Sequence, residues 1–204
     1  MKKIFAAIVM AAALFAGGYS GFMKLEPGAW AKYILHTPAG EMEMIHKYIG
    51  TFDYRGKKVN VIETELKMEG FKSVTQYWSA VGKDEVMEKI ITLTPHGLFC
   101  MEKEMIGRAR IQNRPPYHTT TPPSYAPQKE KKTLTYTLKN GKKIEAALFI
   151  EGDREVLVSS EVPFGIVLVK ERGKTVMELV DFGTGAKPLI PPKEALECTK
   201  FAHF

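Results

Sequence analysis

At 204 residues, with 45% hydrophobic and 25% charged side chains, the chain can bury one substantial core, and its composition excludes a disordered or low-complexity protein. The net charge of +6 is unevenly placed. Lys2 and Lys3 lie at the N-terminus, and between residues 107 and 132 the cations Arg108, Arg110, Arg114, Lys129, Lys131 and Lys132 face Glu130 alone. The rest is near neutral, which disfavours a nucleic-acid-binding domain, where basic charge would cover a folded face.

The N-terminus has the pattern of an export signal: two lysines, an apolar run over 4–16, and Ala16-Gly17-Gly18 as a small-residue cleavage site. This predicts a signal peptide over 1–18, a mature β domain over 19–204 and a periplasmic location. The competing reading is an uncleaved anchor, because residues 4–23 carry no charge and are about long enough to cross a bilayer. In an oxidising compartment Cys100 and Cys198, the only two cysteines, either form one bridge or remain free thiols.

Strands are predicted over 28–36 and 41–49, around the turn Thr37-Pro38-Ala39-Gly40. The second is expected to end near Gly50. Residues 58–68 alternate, with Val59, Val61, Glu63 and Glu65 on one side and Ile62, Thr64 and Leu66 on the other. Glu63 and Glu65 are expected on a solvated part of the strand rather than as catalytic carboxylates. Strands follow over 71–81, 86–93 and 98–102. The interval 107–132 holds five prolines, so an extended or mobile basic loop is expected there. Such a loop is either plainly solvated or able to touch an anionic membrane surface or an acidic partner.

Beyond it, residues 132–139 and 142–150 flank Asn140-Gly141, a strong hairpin signal. A strand over 154–162 leads to a second hairpin, 166–170 and 175–182, turning over Glu171-Arg172-Gly173-Lys174. Ile166 and Leu168 oppose Val167 and Val169, and Val176 and Val180 oppose Met177 and Leu179, so both faces of this hairpin are apolar and each needs a cover. The tail is extended over 183–192, with a short helix expected over 193–201. About ten strands and at most two short helices define an all-β protein, with a strongly curved antiparallel sheet of half-barrel or barrel-like form.

The signal peptide, the Gly28-Ala29-Trp30 opening strand, the antiparallel meander and the closing hairpin Val162–Gly183 resemble exported bacterial proteins related to the periplasmic lipoprotein-carrier (LolA-like) superfamily. That resemblance implies a half-barrel whose inner face holds acyl chains, so the implied partner is a lipid or an acylated protein. The side chains proposed to line such a cavity are Trp30, Ile34, Met42, Met44, Trp78, Ile166, Leu168, Met177 and Leu179. A structural or interaction module of the cell envelope with a filled interior is the alternative. Met42, Met44 and His46 share one strand face, with His36 near the end of the preceding strand. Thioether and imidazole suit Cu(I), while apolar lining is the commoner use of Met. No nucleophile elbow, phosphate loop or zinc-protease pattern occurs, so no enzyme and no cofactor are expected. Scarce Asn and Gln beside abundant Lys and Glu lean towards a thermophilic source.

Overall fold

The structure is a computed structural model that describes residues 22–82, 86–112 and 132–191, with the side chains of 108–112 excepted. The predicted signal peptide, the 113–131 part of the basic loop, the 193–201 helix and Cys198 lie outside the described residues. Among the described residues eleven strands run in chain order: β1 (Trp30–Thr37), β2 (Gly40–Tyr54), β3 (Lys57–Met68), β4 (Phe71–Ala80), β5 (Met87–Thr94), β6 (Gly97–Glu102), β7 (Lys132–Thr137), β8 (Lys143–Glu151), β9 (Arg154–Val158), β10 (Ile166–Glu171) and β11 (Lys174–Gly183). A helix, α1 (Lys103–Gln112), follows β6.

The strands form one sheet in the order β6-β5-β4-β3-β2-β1-β11-β10-β9-β8-β7. The all-β expectation holds. Among the described residues the strand ladder does not close on itself, since β6 and β7 are its two ends. Among the described residues only the β1–β11 pairing joins strands distant in sequence, running from Trp30 opposite Gly183 to Leu35 opposite Met177.

Two expectations about element ends are corrected. β2 does not stop at Gly50 but continues to Tyr54, because Gly50 passes through the strand at φ +138°. A residue with a Cβ rarely adopts that conformation, and glycine adopts it without penalty. The interval from 107 does not begin as a loop, since α1 extends through Gln112. Lys-Glu-Met-Ile and Arg-Ala-Arg are good helix formers, and the prolines begin only at Pro115.

The chain divides into two compact units. Among the described residues the first contains 22–25, 30–44 and 132–183, and the second contains 26–29, 45–82, 86–112 and 184–191. In the first unit Leu35, Met177 and Val169 oppose one another across three strands and are buried. Phe22 meets the edge of the Phe149 ring at 5.8 Å, and the Lys24 amide donates to the Pro163 carbonyl at 3.0 Å. In the second unit Tyr54, Val59, Val61, Val74, Trp78, Ile91 and Ile190 form a core on one side of the sheet. Burying each such side chain stabilises the fold by about 1.5–3 kcal/mol.

Both hairpin turns that read Arg-Gly have the primed geometry that suits the strand twist. Arg55 and Gly56 lie at φ 50° and 76°, and Arg172 and Gly173 at 51° and 73°. A left-handed arginine is costly, and each is held by a carboxylate. The Arg55 guanidinium donates to Glu102 at 2.9 Å, and Arg172 Nε donates to Asp153 at 2.9 Å.

Candidate functional site

In the second unit, side chains directly opposite one another on β3, β4, β5 and β6 share a face. One face carries Val61 opposite Trp78, Trp78 opposite Lys89, Glu63 opposite Gln76, and Gln76 opposite Ile91. The predicted solvation of Glu63 and Glu65 is therefore corrected, because they are 0% and 5% exposed. They sit in line with Val59 and Val61 on the side that forms the core, which is why they are carried inside.

Glu63 is satisfied by five hydrogen bonds. Lys47 Nζ donates to Oε1 at 2.9 Å, and Gln76 Nε2 donates to Oε2 at 3.0 Å. The Leu189 amide lies 3.0 and 2.9 Å from the two oxygens, and the Ile190 amide donates to Oε2 at 3.1 Å. Gln76 Nε2 also donates to the Ile190 carbonyl at 2.7 Å, and its own Oε1 accepts from Trp78 Nε1 at 3.2 Å. Glu65 lies beside this group. Burial pushes its carboxyl upward, but hydrogen bonds from Lys72 and Lys67 outweigh this and hold it below the ordinary value. Lys89 is fully buried over the Tyr54 and Trp78 rings, at 5.1 and 5.6 Å from their centroids. Desolvation lowers its ammonium against the opposing pull of Glu102.

The opposite face is different in kind. Ile62, Tyr77, Ile90 and Met101 form one continuous row across four strands, and Thr64, Thr75, Thr92 and Phe99 form the next. None of these eight side chains is charged. Ile62, Tyr77 and Ile90 are half-buried, whereas Met101 and Phe99 are 38% and 57% exposed. Thr75 and Thr92 hydroxyls are 3.2 Å apart, and the Thr64 hydroxyl is 2.8 Å from His46 Nδ1. Desolvation raises the Tyr77 phenol, and it lowers the His46 imidazole to about 3, so both are neutral at ordinary pH. The patch is apolar, uncharged and edged by hydroxyls, which is the chemistry of a surface for a hydrophobic molecule.

The nine proposed cavity side chains are not brought to one face. Trp78 is fully buried in the second unit's core, beside Phe52 and Tyr54. In the first unit Met177 and Leu179 are buried on one face with Leu35 and Tyr33, while Ile34 and Leu168 both oppose Glu178 on the other. Met42, Met44 and Ile166 are buried, and Trp30 lies against Gly183, where an added Cβ would come within 3.1 Å of the indole nitrogen.

Of the copper candidates, His36 lies between carboxylates, with Nε2 3.1 Å from Glu178 and Nδ1 3.4 Å from Glu41. Lys139 pairs with the same Glu178. Burial raises the Glu178 carboxyl, while Lys139 and His36 hydrogen bonds bring it down to a net value below normal. Among the described residues, no three His, Cys, Asp or Glu side chains group as a metal site. Cys100, on β6, takes part in a disulfide. Of the basic-loop residues, Lys132 opens β7 and is exposed, and Arg108 and Arg110 lie along α1. Arg114, Lys129 and Lys131 lie outside the described residues. No helix among the described residues is long and apolar enough to cross a membrane, which leaves strand-spanning proteins unaddressed.

No protein-family model matches the chain, and neither does any curated protein sequence.

The buried polar group escaped the sequence reading, although one signal for it was present. Glu63 and Glu65 alternate in register with two valines, and a carboxylate in an apolar register needs a buried partner. The row Ile62–Tyr77–Ile90–Met101 was legible only once register was known.

Proposed function

We propose that this is an exported, non-enzymatic protein that binds a hydrophobic ligand of the lipid class, with the Ile62–Tyr77–Ile90–Met101 row and Phe99 as the contact surface. The observation that carries the reading is the uncharged, half-exposed apolar strip in a chain where one residue in four is charged. The signal-peptide pattern and a disulfide at Cys100 both suit an oxidising compartment outside the cytoplasm. Acyl chains need apolar area without hydrogen-bond partners, and Thr75 and Thr92 satisfy each other, leaving their methyl groups to a guest.

Purified protein is to be extracted with organic solvent, analysed for lipid, and titrated with a fluorescent fatty acid. Phe99→Lys and Met101→Lys place charge on the most exposed part of the row. Because surface changes usually alter stability by no more than about 0.5 kcal/mol, loss of uptake with an unchanged melting temperature supports the reading. Uptake that ignores both substitutions, or no lipid and no uptake, refutes it. The second reading, an envelope interaction module without a small ligand, draws on the 166–182 hairpin, whose Val167, Val169, Met177 and Leu179 are at most 1% exposed. Folded protein that takes up no lipid favours that reading.

A further inference from the structure

We propose that Lys47, Glu63 and Gln76 form a peptide-backbone recognition site, which the protein fills in cis with its own segment Lys187–Ile190 as a detachable strap. Pro188 and Pro191 have no amide hydrogen, so the stretch 188–191 offers only the Leu189 and Ile190 donors, and Glu63 accepts both. Gln76 donates to the Ile190 carbonyl at 2.7 Å, and Lys47 lies 3.5 Å from the Lys187 carbonyl. Every one of these contacts reads main-chain atoms of the strap.

Side chains are read at a single position. Ile190 is 3% exposed and joins the Val61–Trp78–Ile91 core, whereas Leu189 is 44% exposed and Lys187 points to solvent. The ligand class is therefore an extended peptide of the form Pro-x-apolar-Pro, where only the third residue is selected. Proline at either end keeps the segment extended and prevents it from joining the ladder as a strand. A buried carboxylate and ammonium cost several kcal/mol to desolvate. Apolar residues would fill the same volume, but they could not accept two successive amides from a segment that has no strand to pair with.

The test uses the full chain carrying Leu189→Pro, which deletes the doubly placed donor through an exposed side chain, with Glu63→Gln as a second variant. Hydrogen exchange is followed at the Ile190 amide and along β3 and β4. In Leu189→Pro, exchange at Ile190 is expected to rise by roughly tenfold or more, as befits a lost bond to a charged acceptor, with β3 and β4 unchanged. The synthetic peptide Ala-Lys-Pro-Leu-Ile-Pro-Pro, at millimolar concentration, is then expected to bind Leu189→Pro, quench or shift the Trp78 emission, and leave wild type unaffected because its own strap occupies the site. Glu63→Gln is expected to abolish that binding in the doubly substituted chain. Unchanged exchange at Ile190, joint loss of protection in β3 and β4, failure of Leu189→Pro to fold, or no peptide binding would each overturn the proposal.

Discussion

Trp78 and Tyr77 are neighbours in sequence on opposite faces of β4, and the packing of Trp78 sets a measurable cost. Trp78→Ala removes a side chain with 0% exposure that meets Tyr54 at 5.6 Å and Phe52 at 6.0 Å. Truncating a buried tryptophan costs about 3–5 kcal/mol. Two local effects hold the value towards the upper end: the Gln76 amide oxygen loses its indole donor, and the buried Lys89 ammonium loses one of its two rings. Trp78→Phe keeps a ring over Lys89 but not the donor, so it is expected to cost about 1–3 kcal/mol. Urea unfolding by far-UV circular dichroism gives both numbers. With an m-value of about 2 kcal/mol per molar, the alanine midpoint is expected to fall by roughly 2 M. A loss below about 1 kcal/mol in Trp78→Ala would show that this face is not the core of the second unit, and the division into a covered and an apolar open face would fall with it.

Three further outcomes are expected. His46 is neutral in the fold, with its pKa at about 3 against 6.5 when exposed, so the unfolded chain binds a proton that the folded one does not, and stability falls as pH drops below 6.5. At about 1.4 kcal/mol per pH unit this reaches about 2 kcal/mol by pH 5, and His46→Gln should remove that slope. Glu65 cannot mimic it, because a depressed carboxylate loses its contribution only below its ordinary value of 4.5. Gly165→Ala places a Cβ 3.2 Å from that of Phe22 at φ +75°, so thermal unfolding should show a destabilisation of about 1–3 kcal/mol, and an unchanged melting temperature would dissociate Phe22 from that turn. Reduction of the disulfide at Cys100 should lower the urea midpoint by an amount corresponding to roughly 2–5 kcal/mol, whereas an unchanged midpoint would show that the bridge closes no loop of consequence.

Local chemistry was legible wherever it acts over a few residues. The alternation of Thr133, Thr135 and Thr137 with Leu134 and Tyr136 marks β7, Asn140-Gly141 marks the following turn, and Arg172-Gly173 marks the last hairpin. Gly50 misled because glycine ends strands more often than it bends them, and nothing nearby distinguishes the two cases. The 107–112 stretch misled because the later prolines dominate its composition. Glu63 was read as solvated for a different reason: its partners lie 13, 16, 126 and 127 residues away, so no window of sequence contains them. The apolar hairpin was legible as a strand pair, while the identity of its cover was not. Leu35 opposite Met177, through the β1–β11 pairing, depends on a contact spanning most of the chain.

The two faces of the second unit meet the same requirement in opposite ways. Where Lys47, Glu63 and Gln76 point, these side chains bond to one another, and residues 187–190 lie across them, adding two amide donors for Glu63 and a carbonyl acceptor for Gln76. Where Ile62, Tyr77, Ile90 and Met101 point, there is no buried charge in either row, and the buried Thr64 hydroxyl is already paired with His46 Nδ1. A surface that tolerates either water or a guest can release what it holds, because emptying it strands no hydrogen bond. Placing a hydrogen-bonded strap on one side and an uncharged apolar row on the other keeps these two requirements separate. The two tests separate these roles: Leu189→Pro should disturb the strap without affecting lipid uptake, and Phe99→Lys should do the reverse.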